Sequence, residues 1–208
     1  MAPEQVASLL LSIKAVTLSP LKPYVWTSGI KAPIYCDNRL LMSYPEKWEA
    51  IIQSMADVIQ QKKLSFDIIA GVATGSISHA SLVAAKLKKP MIYVRPKAKE
   101  HGKGNQVEGV LKPGQKVLVV EDLISTGGSA LNAIQAIRDK GGVVTDCIAI
   151  FTYEMKESRE GFSKAGVTLT TLSNFSALLN AAEEKKCITP KEKQACLEWS
   201  KDPKKWPK

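Results

Sequence analysis

The chain has 208 residues, 45% of them hydrophobic and 24% charged, the balance of an ordinary globular enzyme. A chain of this size buries roughly 70% of its unfolded surface, so one large domain or two small ones need no disulfide or metal staple. Lys and Arg total 29 against 20 Asp and Glu, and the net charge of +9 favours anionic partners: nucleic acid, a membrane surface or small phosphorylated molecules. Much of the excess sits at Lys185, Lys186, Lys191, Lys193, Lys201, Lys204, Lys205 and Lys208, which read as a solvated basic tail. Cys36, Cys147, Cys187 and Cys196 form no CxxC pair and His79 and His101 stand far apart, which excludes a zinc site at finger-like spacing. Few, scattered cysteines suit a reducing compartment.

In chain order, residues 3–15 read as an amphipathic helix with an acidic Glu4, unlike a signal peptide. Residues 18–45, rich in Pro, Gly and aromatics, predict short strands around a turn at Ser28-Gly29. Apolar residues at helical spacing (Trp48, Ile51, Ile52, Met55, Val58, Ile59) predict a helix over 46–63. Alternation follows: a strand at 66–70, a helix over 76–88, a strand at 91–94, and a loop rich in Gly and Lys. Next come a strand at 116–120, a helix over 128–140 closed by Gly141-Gly142, a strand at 143–151 and a last strand at 167–170. The strands are nearly continuously apolar, as a sheet buried on both faces requires, so the fold class is α/β with a doubly wound parallel sheet. No apolar stretch approaches the 18 residues of a membrane span, and no internal repeat appears. These features predict a cytoplasmic protein with no membrane partner.

Residues 117–129 read VLVVEDLISTGGS. The strand delivers Glu121 and Asp122 to the carboxyl edge of the sheet, where such folds bind ligands. The turn after it opens a helix, and backbone N–H groups, the helix dipole and the hydroxyls of Ser125, Thr126 and Ser129 make a phosphate cradle. Gly127 and Gly128 permit close approach. Two carboxylates directly before an anion cradle suit a ligand with a phosphate at one end and hydroxyls or a cation at the other, such as a 5-phosphoribose. No GxxxxGK[ST] is present and no GxGxxG follows a strand, which disfavours nucleoside triphosphates and dinucleotides.

Glu121 to Ser129 resembles the phosphoribosyl pyrophosphate (PRPP) motif of the type I phosphoribosyltransferases. Two further segments resemble the orotate phosphoribosyltransferase family within that group. The run Tyr93-Val94-Arg95-Pro96-Lys97-Ala98-Lys99-Glu100-His101-Gly102-Lys103-Gly104 is similar to its catalytic loop. Thr27-Ser28-Gly29-Ile30-Lys31-Ala32-Pro33-Ile34-Tyr35 is similar to the hood segment that holds orotate. The three segments stand in family order and the likeness covers most of the chain.

The resemblance implies a five-stranded parallel sheet flanked by helices, with an N-terminal helix and hood at 1–45, a PRPP-binding core at 46–172 and C-terminal helices packing on it at 173–208. It implies transfer of 5-phosphoribose from PRPP to N1 of orotate, releasing pyrophosphate. PRPP is expected on Arg95, Lys99, His101, Glu121, Asp122, Leu123, Ile124, Ser125, Thr126, Gly127, Gly128 and Ser129, with Arg95, Lys99 and His101 catalytic. Orotate is expected on Ser125, Lys31 and Tyr35. Mg²⁺ is the implied cofactor, held through substrate oxygens and water without a dedicated cluster of protein ligands. The implied assembly is a homodimer whose loop reaches over the neighbouring site, with no nucleic-acid partner. His79, on an apolar helix, reads as structural. The resemblance further leads to an expected unusual peptide, cis without proline, in the turn Gly71 to Gly75, where many relatives carry a Lys that is absent here. Pro96 replaces the second basic residue that often follows the loop Arg, and no Arg stands at Phe151-Thr152-Tyr153 where some relatives use one on orotate. Two other readings are a transferase for a different base and a regulator that senses PRPP and binds nucleic acid.

Overall fold

A computed structural model of the chain describes residues 1–26, 29–97, 105–203 and 205–206. Helix α1 (Pro3–Ser12) leads into the short strands β1 (Val16–Leu18), β2 (Tyr24–Val25), β3 (Lys31–Ala32) and β4 (Ile34–Cys36) and a 3₁₀ helix at Asn38–Ser43. The helix stops earlier than its apolar pattern predicts because Lys14 turns left-handed, at φ 57°, and frees the chain to enter β1. Strand β1 pairs antiparallel with β4, and β2 with β3, which makes two small ribbons.

The core follows: α2 (Pro45–Gln61), β5 (Ile68–Val72), α3 (Ile77–Leu87), β6 (Met91–Val94), β7 (Val107–Glu108), β8 (Lys116–Ile124), α4 (Gly128–Asp139), β9 (Val143–Thr152), α5 (Lys156–Ala165) and β10 (Thr168–Asn174). Helices α6 (Phe175–Glu184) and α7 (Pro190–Lys201) complete the chain. The sheet runs β10-β9-β8-β5-β6-β7. Five strands are parallel, and the expected five-stranded sheet gains a sixth, since β7 returns antiparallel along β6. Two residues are too few for any periodicity to announce, yet they cover the backbone edge that β6 would otherwise leave open. The chain moves from β5 outward to β6 and then crosses back to β8 on the other side. The topological switch therefore lies between β5 and β8.

Side chains alternate across the sheet as the period of two requires. Leu118 and Val120 of β8 join the face covered by α1, α2, α3 and α6, whereas Val117 and Val119 join the face covered by α4. Strand β8 is longer than the apolar run 116–120 suggests. It continues through Glu121 and Asp122 to Ile124 because pairing with β9 persists to Leu123↔Phe151 and Ile124↔Thr152. Pairing with β5 ends at Gly71↔Val120. The acidic pair thus lies inside the strand, where one of its edges is uncovered. Strand β10 likewise extends past Thr170 to Asn174, with Thr171 and Asn174 half exposed at the sheet edge and Ser173 buried.

Beyond β5 the chain turns through a cis peptide between Ala73 and Thr74, inside the expected segment. Among the described residues no helix is long and apolar enough to cross a membrane. Gly71 lets α3 lie close on β5, since a Cβ there would come within 2.9 Å of the Ala80 Cβ and 3.3 Å of the Ile77 Cα. Gly71→Ala is expected to cost about 1–3 kcal/mol through this overpacking. An unchanged urea midpoint would show that the helix yields freely.

Candidate active site

The cleft at the switch point has two compartments. The first, about 340 Å³, is lined by Cys36, Asp37, Arg39, residues 72–75, Glu121, Asp122, Leu123, Ser125 and Ser129. The second, about 590 Å³, is lined by Val25, Trp26, Ile30, Tyr35, Cys36, Leu123, Ser125, Thr126 and Tyr153. Cys36, Leu123 and Ser125 belong to both, so the two spaces adjoin. The first is bounded by carboxylates, hydroxyls and backbone, and the second mainly by aromatic and aliphatic side chains.

Within the polar compartment the acidic residues play unlike parts. Glu121 is only 4% exposed, and its Oε1 accepts a hydrogen bond from the Ser76 hydroxyl. The Asp122 backbone N–H donates to Ser76 Oγ at 3.0 Å and to Glu121 Oε1 at 3.1 Å. Burial, and then the neighbouring Asp122 charge, push the Glu121 carboxyl well above the usual range, against the pull of Ser76. Its Oε2 has no hydrogen-bond partner among the described residues. Asp122 is half-buried, and Asn38 Nδ2 donates to its carbonyl at 2.7 Å, so the start of the 3₁₀ helix is tied to the floor of the cleft. Bound donors or a cation would favour the charged form of Glu121. Oxygen ligands of this kind suit a hard divalent cation such as Mg²⁺. No cluster of three or more His, Cys, Asp or Glu that could hold a metal occurs among the described residues.

The cradle follows from its glycines. Gly127 adopts φ 83°, the left-handed region where a side chain would strain the turn, and no side chain caps the amides of the first turn of α4. Those N–H groups and the Ser125 and Ser129 hydroxyls are the donors a phosphate needs. Thr126 lines the apolar compartment instead. Ile124 is buried in the core, so only its backbone is available to a ligand. Leu123 forms part of the wall common to both compartments.

The remaining expected residues are distributed differently. Tyr35 lines the apolar compartment and is 46% exposed. Lys31, on β3, is exposed and lines neither compartment; its carbonyl accepts a hydrogen bond from Trp199 Nε1 at 3.0 Å. Arg95, at the end of β6, lies 3.6 Å from Glu108 of β7, and it too lines neither compartment. Lys99 and His101 lie outside the described residues. The carbonyl of Pro96, just before that segment, accepts from Asn132 Nδ2 at 3.0 Å, and Asn105, just after it, accepts from Lys140 Nζ at 2.9 Å. Both stems are therefore fastened to α4 or the residue that ends it. His79 is buried and accepts a hydrogen bond at Nδ1 from Trp48 Nε1 at 2.8 Å, while burial holds its pKa low. From α3 it packs edge-on against Trp48 of α2, as a structural histidine would.

Several residues of the site escape a sequence reading. Trp26 and Tyr153 stack with centroids 5.0 Å apart and planes at 17°. They are distant in sequence, and nothing in their local spacing links them. Asp37 and Arg39 pair through two oxygens, at 2.7 and 2.8 Å. The Arg39 hydrogen bonds hold the Asp37 carboxyl below its ordinary value. Their one available signal is a polar Asp-Asn-Arg run between apolar segments. Ser76 could have been noticed only from its place directly after the turn 71–75.

Gly75 allows the closest approach in the site: a Cβ there would lie 2.6 Å from Asp122 Oδ2. Gly75→Ala should displace that carboxylate and lower kcat/KM by about 10²-fold, the usual consequence of a misplacement near 1 Å. Steady-state rates within a factor of two of the parent would contradict this reading of the turn.

The sequence profile of the phosphoribosyl transferase domain matches residues 44–177. The chain is 54% identical over 202 residues to an orotate phosphoribosyltransferase of Coxiella burnetii, covering 97% of each sequence. It is 47% identical over 205 residues to one of Listeria monocytogenes, covering 99% of this chain and 98% of that one. In structure it is similar to the orotate phosphoribosyltransferase of Aeropyrum pernix, with TM-score 0.76, 28% identity and coverage of 88% of this chain and 99% of that one. Sheet order, cleft and sequence agree: the chain belongs to the phosphoribosyltransferase family, among the orotate phosphoribosyltransferases.

Proposed function

We propose that the cleft transfers 5-phosphoribose from PRPP to N1 of orotate, yielding orotidine 5′-phosphate and pyrophosphate for pyrimidine synthesis. The observation that carries this is the junction of a carboxylate-and-cradle compartment with an aromatic one across Cys36, Leu123 and Ser125. A phosphorylated sugar fits the first and a planar base the second, and the bond to be made lies between them. A regulator of the same fold would need the first compartment only.

In this reading the 5-phosphate rests on the Ser125 and Ser129 hydroxyls and the backbone amides of Thr126, Gly127 and Gly128. The ribose hydroxyls donate to Asp122 and Glu121. Cationic character develops on the ribose as the bond to pyrophosphate breaks, and two carboxylates beside it stabilise that charge. Orotate lies in the aromatic compartment with Tyr35 at its mouth, and its own ring nitrogen is the nucleophile, so no protein nucleophile is required. Arg95, Lys99 and His101 meet the pyrophosphate, with Lys99 stabilising the leaving group. Arg95 must exchange Glu108 for the substrate to do so. Lys31 joins the orotate site only through a change of side-chain direction. Arg39 adds a cation to the polar compartment. Asp122 and Glu121 would hold Mg²⁺, directly or through water, and the cation would supply charge neutralisation for the departing pyrophosphate.

We further propose a cytoplasmic homodimer in which each 97–107 segment serves the neighbouring site. The working division is 1–45 as helix and hood, 46–172 as PRPP core and 173–208 as C-terminal helices. Free cysteines at 36, 147, 187 and 196 accord with a reducing compartment.

Loss of orotate absorbance with PRPP and Mg²⁺ tests the reaction. Turnover of a purine in place of orotate, or salt-sensitive DNA binding without turnover, would support the other readings. Lys99→Ala should reduce kcat by about 10²–10³ with a smaller effect on binding, as for loss of an oxyanion donor. A change of only a few-fold would remove Lys99 from the chemistry. Unfolding Lys99→Ala and Asp122→Asn together and refolding them should restore about a quarter of the sites if loops cross the two-fold axis. Hybrid dimers without recovered activity would mean that each chain serves itself.

A further inference from the structure

The wall of the aromatic compartment is supported from behind by the C-terminal helix. Trp199 of α7 is fully buried and lines neither compartment. Its ring meets Trp26 edge-on, with centroids 5.7 Å apart and planes at 82°, and Tyr153 in the same manner at 6.1 Å and 87°. Those two rings form the stacked pair in the compartment wall. The far side of Trp199 rests on Phe175 of α6, at 5.2 Å.

A polar contact adds direction to this packing. Trp199 Nε1–H donates to the Lys31 carbonyl on β3, and Trp26 Nε1–H donates to the Ile34 carbonyl at 3.2 Å. Two indoles, one from the hood and one from α7, thus hold the hood backbone at the carbonyls of Lys31 and Ile34. Helix α7 is itself well anchored. Thr189 and Glu192 cap its first turn reciprocally, and Lys193 Nζ lies 2.7 Å from Glu183 Oε2 of α6.

We infer that Trp199 is the positioning residue of the base compartment. It sets the tilt of the Trp26–Tyr153 pair and the height of the hood strand above it, and so determines affinity for the planar base independently of PRPP. The edge-on geometry fixes ring orientation in a way that aliphatic packing does not, because a ring edge prefers the face of its neighbour. The indole N–H fixes the distance to β3, and without it the part-buried hydrogen bond to the Lys31 carbonyl is lost. The inference rests on assigning the aromatic compartment to the base.

Initial-rate kinetics on Trp199→Phe and Trp199→Leu test it. Trp199→Phe keeps a ring edge and removes the N–H. It should raise KM for orotate roughly three- to tenfold, as loss of one hydrogen bond allows, with KM for PRPP within a factor of two. Trp199→Leu also removes the ring and should raise the orotate KM further. Orotate and PRPP constants that stay unchanged, or that rise by equal factors, would overturn the proposal, since general loosening of the fold does not select one substrate. Should Trp199→Leu fail to fold, Trp199→Phe decides the matter alone. Wild-type turnover of orotate in the same series tests the reaction separately, and its absence would remove the premise and the proposal together.

Discussion

The site depends on a mismatch in strand length. Strand β8 runs four residues beyond its last pairing with β5, at Val120, while β9 continues to support its other edge. A strand paired on one side only is stiff enough to position side chains and open enough to present them. Glu121 and Asp122 occupy that stretch. The space vacated by β5 is filled by the turn 73–75 and by Ser76, whose hydroxyl contacts both carboxylate-bearing residues. The small residues of the turn are what permit this contact, since Gly75 has no room for a Cβ against Asp122. Were β5 longer, its backbone would cover the carboxylates.

From this edge the cleft acquires its polarity. The chain leaves β8 through Ser125 and Thr126 into a left-handed Gly127 and the first turn of α4, so negative and positive potentials adjoin within one short segment. Burial makes the charged form of Glu121 costly until hydroxyl donors or a cation arrive, whereas Asp122 remains partly solvated. The hood closes the other side. It is attached at several fixed points, among them Asn38 on the Asp122 carbonyl and Trp199 on the Lys31 carbonyl. Sugar and base compartments are therefore registered to the same strand.

Much of the fold could be read from local patterns. The β-branched runs at 117–120 and 143–150 and the glycines at 141–142 mark buried strands and a helix stop without knowledge of the partners. The acidic pair and cradle are legible because a carboxylate pair, hydroxyls and glycines form one continuous segment. The aromatic compartment is not, since Trp26, Tyr153 and Trp199 meet only after the sheet is assembled. The extension of β8 through charged residues is hidden for a related reason: its pairing comes from β9, and its own composition resembles a strand end. Lys31 and Arg95 show the limit of motifs. Their positions match the family pattern, yet Lys31 faces solvent and Arg95 is turned to Glu108. Side-chain direction at an exposed surface depends on charge partners that the motif does not specify.

Asp122, at the uncovered edge of β8, is the residue on which the site most directly depends. Calorimetric titration of PRPP with Mg²⁺ into Asp122→Asn, compared with the parent, isolates the carboxylate while preserving shape. A loss of affinity of about tenfold or more, the scale of a charge-assisted hydrogen bond, is predicted, with the thermal midpoint retained. Unchanged PRPP affinity in a folded Asp122→Asn protein would contradict the account.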